Sequence, residues 1–228
     1  STCQVPSATR RPDKSSPAEP VSFAPMIDMD IQPTTLSGGH VRLVPLRLEH
    51  APGLVAHAND EEIWRYMPFG FVNTLARMEE LIADLLGRQA KGTDIPFAIT
   101  LSGAAGARPE LIGMTRFMAI ERHHRGLEVG GTWLGRAYRR TACNTEAKYL
   151  LFRHAFETLH CVRLQLKTDM RNERSQRAIE RLGAVREGVL RNNMILQDGY
   201  VRSSVYYSIT DAEWPTVRAR LEAMLAGS

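Results

Sequence analysis

The sequence predicts an α+β fold around a mixed, mostly antiparallel sheet. Three apolar or alternating segments follow one another in the middle of the chain, separated by glycine, proline or charged breaks, which is typical of an antiparallel meander. A helix then connects the third strand to a fourth, and such crossovers are right-handed in almost all sheets. The last two alternating segments flank the turn Gln197-Asp198-Gly199, which predicts a hairpin. This order of elements is that of an α+β domain.

The N-terminal region differs in composition from the rest of the chain. Residues 1–33 are rich in Pro, Ser and Thr and have no sustained periodicity, so we predict a tail or arm there. The other residues, 34–228, form a single domain in this interpretation. The chain has 228 residues, of which 43% are hydrophobic and 24% charged, and this is enough to bury one substantial core.

The first half of the predicted domain alternates between strand and helix patterns. The segment "GGHVRLVPLR" alternates like a strand, and the following residues 47–58 carry a helical stripe of apolar side chains. Asn73 or Thr74 is placed to cap a long helix that closes around Gly92. The apolar face of this helix contains Leu75, Met78, Ile82 and Leu85.

The second half contains the meander, the crossover and the hairpin. The meander strands are predicted in "PFAITL", "LIGMTRFMAI" and "LEVGGTWL". A helix is predicted over residues 145–159, a strand over "VRLQLKTD", and a short helix over residues 173–182 that ends at Gly183. The hairpin strands are predicted in "AVREGVLRNNMI" and "YVRSSVYYSI".

Charge and cysteine content argue against several classes of protein. The 29 Lys and Arg residues against 25 Asp and Glu leave a net charge of +4 that is scattered, which predicts little nucleic-acid binding. The three cysteines form no CxxC pair and have no histidine at metal spacing, so we expect neither a disulfide framework nor a metal site. No apolar stretch reaches the roughly 18 residues of a membrane span, and no signal pattern begins the chain. We therefore expect a cytoplasmic protein without a membrane partner.

A cationic turn joins the third meander strand to the next helix, within "WLGRAYRRTACNTEAKYLL". The free amides of residues 141–145 and the positive end of the helix dipole should converge there, and a pyrophosphate fits such a place. Arg139 and Arg140 add positive charge, although an arginine pair by itself is more often a solvated corner. Gly130 and Gly131 indicate a bulge in the preceding strand, which would leave backbone groups free for an extended ligand.

The segment "EVGGTWLGRAYRRTACNTEAKYLL" resembles the acetyl-coenzyme-A-binding segment of the Gcn5-related N-acetyltransferases, the GNAT family, in its RimJ/RimL-like branch. The family's turn pattern maps onto Arg139, Ala142 and Asn144, with "TEA" opening the helix. Ala142 and Asn144 stand where the pattern has smaller residues. The resemblance implies a three-layer α/β/α fold whose sheet is splayed at the acetyl-CoA site. It implies cofactor-binding roles for Trp133, Leu134, Arg139, Arg140, Thr141, Ala142, Cys143, Asn144 and Thr145.

A second segment, "TDMRNERSQRAIERLGAVREGVLRN", resembles the following strand, helix and strand of the family, so the resemblance covers about residues 36–209. It implies that Asn172 holds the pantetheine arm and that Ser175 approaches the thiol. Many family members have a tyrosine seven positions after the asparagine, as a proton donor to the thiolate, whereas this chain has Ile179. The alternative is that Asn172 is only a helix cap and Ser175 only a first-turn residue.

Aminolysis of a thioester needs a neutral amine, a polarised carbonyl and a stabilised thiolate. Glu128, on the same strand face as Gly130, is the candidate base, and its alternative is a solvent-exposed edge glutamate. A backbone amide of residues 131–133 is the candidate for polarising the carbonyl. Cys143 has no His or Asp partner in sequence and is expected to be a small buried hydrophobe rather than a nucleophile. Trp64, Tyr66, Met67 and Phe69 are an acceptor-side candidate whose alternative is core packing.

The sequence therefore predicts an acyltransferase that moves acetyl from acetyl-CoA, its co-substrate, to a primary amine without a metal. A protein N-terminus and a small amine, such as an amino acid, polyamine or antibiotic, both remain open as the acceptor. A non-catalytic acyl-CoA sensor on the same fold is the alternative from another class, favoured by the missing tyrosine. The sequence also leaves open whether the chain forms a homodimer.

Overall fold

The computed structural model describes residues 29–103 and 109–227. Its centre is an eight-stranded sheet of order β1-β2-β3-β4-β5-β6-β8-β7. All neighbouring strands are antiparallel except β5 and β6, which are parallel. The predicted α+β class with a mixed, mostly antiparallel sheet is therefore confirmed. The strands are β1 Leu36–Ser37, β2 Val41–Pro45, β3 Ile95–Leu101, β4 Leu111–Glu121, β5 Gly126–Leu134, β6 Arg163–Asp169, β7 Val185–Ile195 and β8 Val201–Thr210.

Helices cover both faces of the sheet and complete three layers. One face packs α4 to α6 in a cluster that includes Leu151 and Leu221, and the other packs α1 to α3 in a cluster that includes Leu54 and Ile82. Val129 of β5 belongs to the first cluster and Trp133 to the second, because the extra residue of a bulge between them reverses the alternation of the strand. The helices are α1 Ala51–Val55, α2 Glu61–Trp64, α3 Leu75–Ala90, α4 Ala142–Arg153, α5 Glu173–Arg181 and α6 Trp214–Ala226.

Capping side chains set the starts of α3 and α4. Thr74 accepts a hydrogen bond from Arg77 N and begins α3 where the sequence predicted. Thr141 accepts from Cys143 N, so α4 begins at Ala142 and not at the predicted Thr145. The residues predicted as a phosphate-binding turn are consequently the first turn of the helix itself.

Helix α6 was not predicted from the sequence, where the hairpin is the last predicted element. The buried residues of this helix, Trp214, Val217 and Leu221, have helical spacing, and the indole of Trp214 stacks on Phe156 with ring centroids 5.3 Å apart. The short elements β1 and α2 were also not predicted, because a few residues carry too little periodicity to be recognised.

The packed part of the chain begins earlier than predicted. Met29 and Ile31 are only 1% and 2% exposed and belong to the larger core cluster, and Arg122 Nη1 donates to Met29 O at 2.7 Å. Both residues precede the predicted domain boundary at residue 34, so the core includes the end of the predicted tail. Residues 1–28, which contain most of that tail, lie outside the described residues.

The sheet opens between β5 and β6. These strands pair only from Gly126 to Glu128 on β5, and the rest of that β5 edge has no strand partner in the described structure. Across β4, the register shifts so that Gly131 and Thr132 oppose the single residue Thr115, and Gly131 has φ +59°. The bulge predicted from the two glycines is confirmed. Within the described part of the chain, no helix has the length and apolar character needed to cross a membrane.

Candidate active site

A cavity of about 1290 Å³ occupies the opening between β5 and β6. Its wall is formed by the first turn of α4, the cavity side of α5, the segment after α2 and residues of the strands, chiefly β5 and β6. Most residues selected from the sequence meet in this cavity. They are Tyr66, Met67, Phe69, Glu128, Trp133, Leu134, Arg139, Arg140, Thr141, Ala142, Asn144, Thr145, Asn172 and Ser175.

Two selected residues do not belong to the cavity wall. The Cys143 side chain is 7% exposed in the larger core cluster, because helical periodicity turns it away from Ala142 and Asn144, and its amide already donates to Thr141 Oγ1 at 3.3 Å. Trp64 is a core residue of the other cluster, and its indole nitrogen donates to Ala58 O at 2.8 Å. Trp64 is therefore corrected from a pocket residue to a packing residue.

The first turn of α4 presents backbone N–H groups to the cavity. Ala142 and Asn144 are half-buried on its wall, and helical geometry leaves their amides without intrahelical partners. Arg140 precedes the turn with φ +62°, is exposed, and has no ion pair among the described residues. The residue of this turn with a left-handed backbone conformation is thus Arg140, and its guanidinium is available to a ligand.

The neighbouring Arg139 lines the cavity and is also held by contacts within the protein. Its Nη2 lies 2.9 Å from Asp60 Oδ2, and its Nε donates to Leu134 O at 3.1 Å. These contacts tie the turn to α2 and to the end of β5. Arg139 therefore positions the turn, and part of its charge is already balanced by a carboxylate.

The "TEA" side chains hold α4 against its surroundings. Thr145 Oγ1 accepts from Arg181 Nη2 at 3.0 Å, which connects α4 to α5. The buried Glu146 accepts from the backbone N–H groups of Gly39, His40 and Val41 at 2.8, 2.7 and 2.6 Å. Three charge-assisted bonds to one carboxylate anchor the β1–β2 turn to the helix.

Asn172 caps α5 by accepting from Ser175 N at 3.1 Å. The capping interpretation from the sequence is confirmed for its Oδ1 atom. The Asn172 amide nitrogen and the Ser175 hydroxyl have no hydrogen-bond partner among the described residues, although both residues line the cavity. Ile179 lies one turn further on, is 7% exposed and adds only apolar surface.

Glu128 is buried at the point where β5 and β6 separate. It is 2% exposed, and its Oε2 accepts from Lys167 Nζ at 3.0 Å and from Gln165 Nε2 at 2.9 Å. A β-carbon built on Gly130 would lie 3.1 Å from Glu128 Oε1, so the predicted common face is confirmed. The alternative of a solvent-exposed edge glutamate is wrong.

The cavity wall also contains two buried arginines that were not predicted from the sequence. Arg116 lies 3.2 Å from Asp94 and 5.3 Å from the centre of the Phe69 ring, and its Nη1 has no hydrogen-bond partner among the described residues. Arg202 Nη1 donates to Tyr66 O at 3.0 Å. In the sequence, an arginine between apolar strand residues resembles the solvent face of a half-buried strand, so nothing marked these two as buried.

Lys148 is a buried lysine on the wall of the cavity. Its Nζ donates to Thr132 Oγ1 at 2.6 Å, and Thr132 is 2.8 Å from Thr115 Oγ1. Burial lowers the pKa of Lys148 to about 7, and the nearby charge of Glu128 only partly opposes this. No sequence pattern marked this residue, since a lysine in a helix is usually solvated.

The match to a family model decides the identity of the fold. Residues 40–185, more than half of the chain, match the model described as "Acetyltransferase (GNAT) domain". The chain belongs to the GNAT family. It is an acetyltransferase enzyme, and the predicted family is confirmed, while its RimJ/RimL-like branch stays a prediction.

Individual GNAT relatives agree with this assignment. A solved structure described as a "putative acetyltransferase" from T. thermophilus is 44% identical, covers 86% of this chain and 100% of its own, and superposes with a TM-score of 0.77. Mycobacterium smegmatis RimJ, solved with CoA-disulfide, has the same fold at 21% identity and a TM-score of 0.71, over 84% of this chain and 95% of its own.

A curated relative in Bacillus subtilis (strain 168) is named "Putative ribosomal N-acetyltransferase YdaF". It is 30% identical over 104 residues, which cover 46% of this chain and 56% of the relative. The chain therefore matches just over half the length of that relative.

The lowered pKa of Lys148 implies that the stability of this GNAT domain depends on pH. Its folded pKa of about 7 is below the ordinary 10.5, so between these values the unfolded chain binds more protons and stability rises with pH. From about pH 7 to about pH 9 the wild type should gain about 2 kcal/mol in unfolding free energy relative to Lys148→Met. Urea unfolding of both proteins at the two pH values measures this. A difference that does not change with pH would contradict it.

Proposed function

We propose that this GNAT protein transfers the acetyl group of acetyl-CoA to a primary amine, with a protein N-terminus as the first candidate, by direct attack in a ternary complex. The observation that carries the proposal is the continuous cavity that runs from the free amides of α4 to the buried carboxylate of Glu128. One end suits a diphosphate, and the other can accept a proton.

The residues of the coenzyme half fit the anionic part of the molecule. The first-turn amides of α4 and the helix dipole favour phosphate oxygens. Arg140 supplies a guanidinium without an ion pair among the described residues, and Arg174 and Arg181 of α5 extend the positive wall. RimJ of M. smegmatis, which has the same fold, was solved with a form of coenzyme A, and this supports coenzyme A as the ligand.

The middle of the cavity suits the pantetheine arm and the thioester. The unpaired β5 edge after Glu128 offers backbone groups to an extended ligand, as a neighbouring strand would. The Asn172 amide nitrogen is free to donate to a carbonyl of that arm. An amide of residues 131–133 would polarise the thioester carbonyl, and the bulge places these amides outside the regular ladder.

The acceptor half suits an amine beside Glu128. Most free amines are protonated at neutral pH, so a base must remove a proton before attack. Glu128 Oε1 lies against Gly130, and a water between carboxylate and amine would complete the transfer. Tyr66, Met67 and Phe69 supply the remaining surface of this half. The relative's name, a ribosomal N-acetyltransferase, supports a protein N-terminus over a small amine.

Thiol release from acetyl-CoA in the presence of an acceptor panel tests the proposal. The panel would contain peptides with different N-terminal residues, free amino acids, polyamines and aminoglycosides. We expect turnover with N-terminal peptides and a mass increase at their α-amine. Turnover with small amines alone would assign the other acceptor class, and coenzyme binding without turnover on any acceptor would overturn the proposed reaction.

Ser175→Ala should lower turnover more than coenzyme affinity, because a hydroxyl that meets the developing thiolate acts mainly in the transition state. Asn172→Ala is the comparison, and it should weaken coenzyme binding more, through both the lost donor and the lost cap. Steady-state kinetics and calorimetry on both variants measure the two effects. Equal rates for wild type and Ser175→Ala at saturating acetyl-CoA, with chemistry rate-limiting, would leave Ser175 as a helix residue only.

A further inference from the structure

Lys148 differs from the other buried cations of the cavity wall in having no carboxylate in contact among the described residues. Arg116 lies 3.2 Å from Asp94, and Arg202 lies 4.0 Å from Asp169. Lys148 Nζ instead donates a hydrogen bond to the hydroxyl of Thr132 at 2.6 Å. A buried ammonium that meets only a hydroxyl is costly, so the site favours either a neutral amine or the arrival of an anion.

The position of Lys148 points to which anion would arrive. Thr132 belongs to the unpaired part of β5, directly after the bulge at Gly131. Lys148 therefore lies on the α4 side of the same stretch of β5 whose amides would hold the thioester, while Glu128 lies on the acceptor side. The two groups contact opposite sides of one short strand segment.

Two ammonium groups line the cavity in the described part of the chain, and Lys167 is already paired with Glu128 Oε2 at 3.0 Å, so the ammonium without a carboxylate partner is that of Lys148. On β5 the charged neighbour is Glu128, and on α5 it is Arg181, whose Nη2 is already bonded to Thr145. Ile179 of α5 and Leu166 of β6 contribute apolar surface to this region of the wall. Ser175 offers a hydroxyl, which is a weak acid compared with an ammonium.

We propose that Lys148 donates a proton to the sulfur of coenzyme A as the acetyl group leaves. The inference rests on the proposed function, because it assumes that acetyl-CoA occupies the cavity. The amine nitrogen forms the new C–N bond, the C–S bond breaks, and its electron pair stays on sulfur. The Lys148 ammonium gives sulfur a proton and becomes neutral. The proton that the amine loses goes to Glu128, and solvent exchange returns both groups to their starting states.

The environment of Lys148 fits this proton transfer to sulfur. Burial lowers its pKa to about 7, so both the charged and the neutral amine are accessible near neutral pH. A thiolate formed beside it would be stabilised by the ammonium, and the two groups would titrate as a coupled pair. Thr132 and Thr115 form a short hydroxyl chain that holds the lysine in place.

The test measures the thiol of bound coenzyme A and needs no acceptor. The absorbance of the thiolate is followed against pH for coenzyme A free in solution and bound to wild type, Lys148→Met, Lys148→Arg and the surface control Lys91→Met. Wild type, the arginine variant and the control should lower the pKa of the bound thiol by about one to three units, as a nearby opposite charge does. In Lys148→Met that shift should be lost.

Calorimetry with coenzyme A and with desulfo-coenzyme A gives a second readout. At a pH where the bound thiol is ionised, wild type should prefer coenzyme A by at least about tenfold, since one pKa unit is a tenfold preference. Lys148→Met should bind both compounds equally, and its turnover should fall by roughly a hundredfold or more. Lys148→Gln serves as the neutral variant if Lys148→Met does not fold.

The outcomes separate this inference from the function on which it rests. Tight coenzyme binding with the same thiol pKa in wild type and the neutral variant would overturn the role of Lys148 and leave the proposed function intact. A folded wild-type protein that does not bind coenzyme A at all would overturn both. Loss of coenzyme affinity in Lys148→Met, with an unchanged preference over the desulfo compound, would assign Lys148 a structural role and reject the inference.

Discussion

Replacing Ala142 by aspartate should abolish coenzyme A binding while the protein stays folded. Ala142 is the first residue of α4 and lines the cavity beside the free amides. A carboxylate there would occupy the place of a phosphate and repel it by roughly 4 kcal/mol for charges about 4 Å apart near a protein surface. Such a loss is about a thousandfold in affinity. An acidic residue in the first turn also suits the helix dipole, so α4 itself should not be weakened.

Ala142→Asn is the matched control, because it adds the same bulk without the charge. We expect it to bind coenzyme A much more tightly than Ala142→Asp. The difference in affinity between the two variants isolates the electrostatic contribution to the loss of binding. Calorimetric titration with thermal unfolding as a check of the fold measures both. Unchanged affinity in a folded Ala142→Asp protein would remove the first turn of α4 from the proposed coenzyme site.

Glu128→Gln should cut turnover by roughly a hundredfold, the lower range for a positioned base, and leave coenzyme binding nearly intact. The coenzyme phosphates lie at the α4 end in the proposed function, away from the β5–β6 junction where Glu128 is buried. The loss should shrink as pH rises, because more of the acceptor amine is already neutral. Rates measured at saturating acetyl-CoA over a pH series test this.

The ion pair between Glu128 and Lys167 requires a control of its own. Lys167→Met breaks the same pair but keeps the carboxylate, so its effect on turnover should be smaller than that of Glu128→Gln and should not shrink with pH in the same way. Wild-type turnover in Glu128→Gln across the pH series would exclude Glu128 as the base. A water chain or a group on the hairpin strands would then have to remove the proton.

Local patterns carried most of the fold prediction. The strands of the meander, the Thr74 cap, the crossover helix and the hairpin all depend on periodicity and turn residues that lie close together in the chain. The bulge at Gly130 and Gly131 was also predictable, because glycine inside a strand weakens the regular ladder and is typical of a bulge. The cationic turn before α4 was located for the same reason, although its helix begins at Ala142 and not at Thr145.

Contacts between distant segments could not be predicted in this way. Arg139 was selected as a phosphate-binding residue from its place in the turn. Its guanidinium also forms an ion pair with Asp60, which is far away in the sequence. Trp64 was selected as a pocket candidate because it lies in an apolar, aromatic segment of the sequence. The helices around it bury it instead. Met29 and Ile31 belong to a segment whose composition resembles a tail, and only the core that they complete shows otherwise.

The sequence by itself determined the α+β order of elements, the family, and the cationic strand-to-helix turn, because each depends on residue types at fixed short spacing. The tertiary structure alone decided the state of the charged side chains in the cavity. Glu128 is buried against Lys167, and Lys148 is buried beside a hydroxyl, with no carboxylate in contact among the described residues. Burial and charge pairing depend on which surfaces pack together in the folded protein. Residue spacing over a short stretch of sequence does not predict that packing.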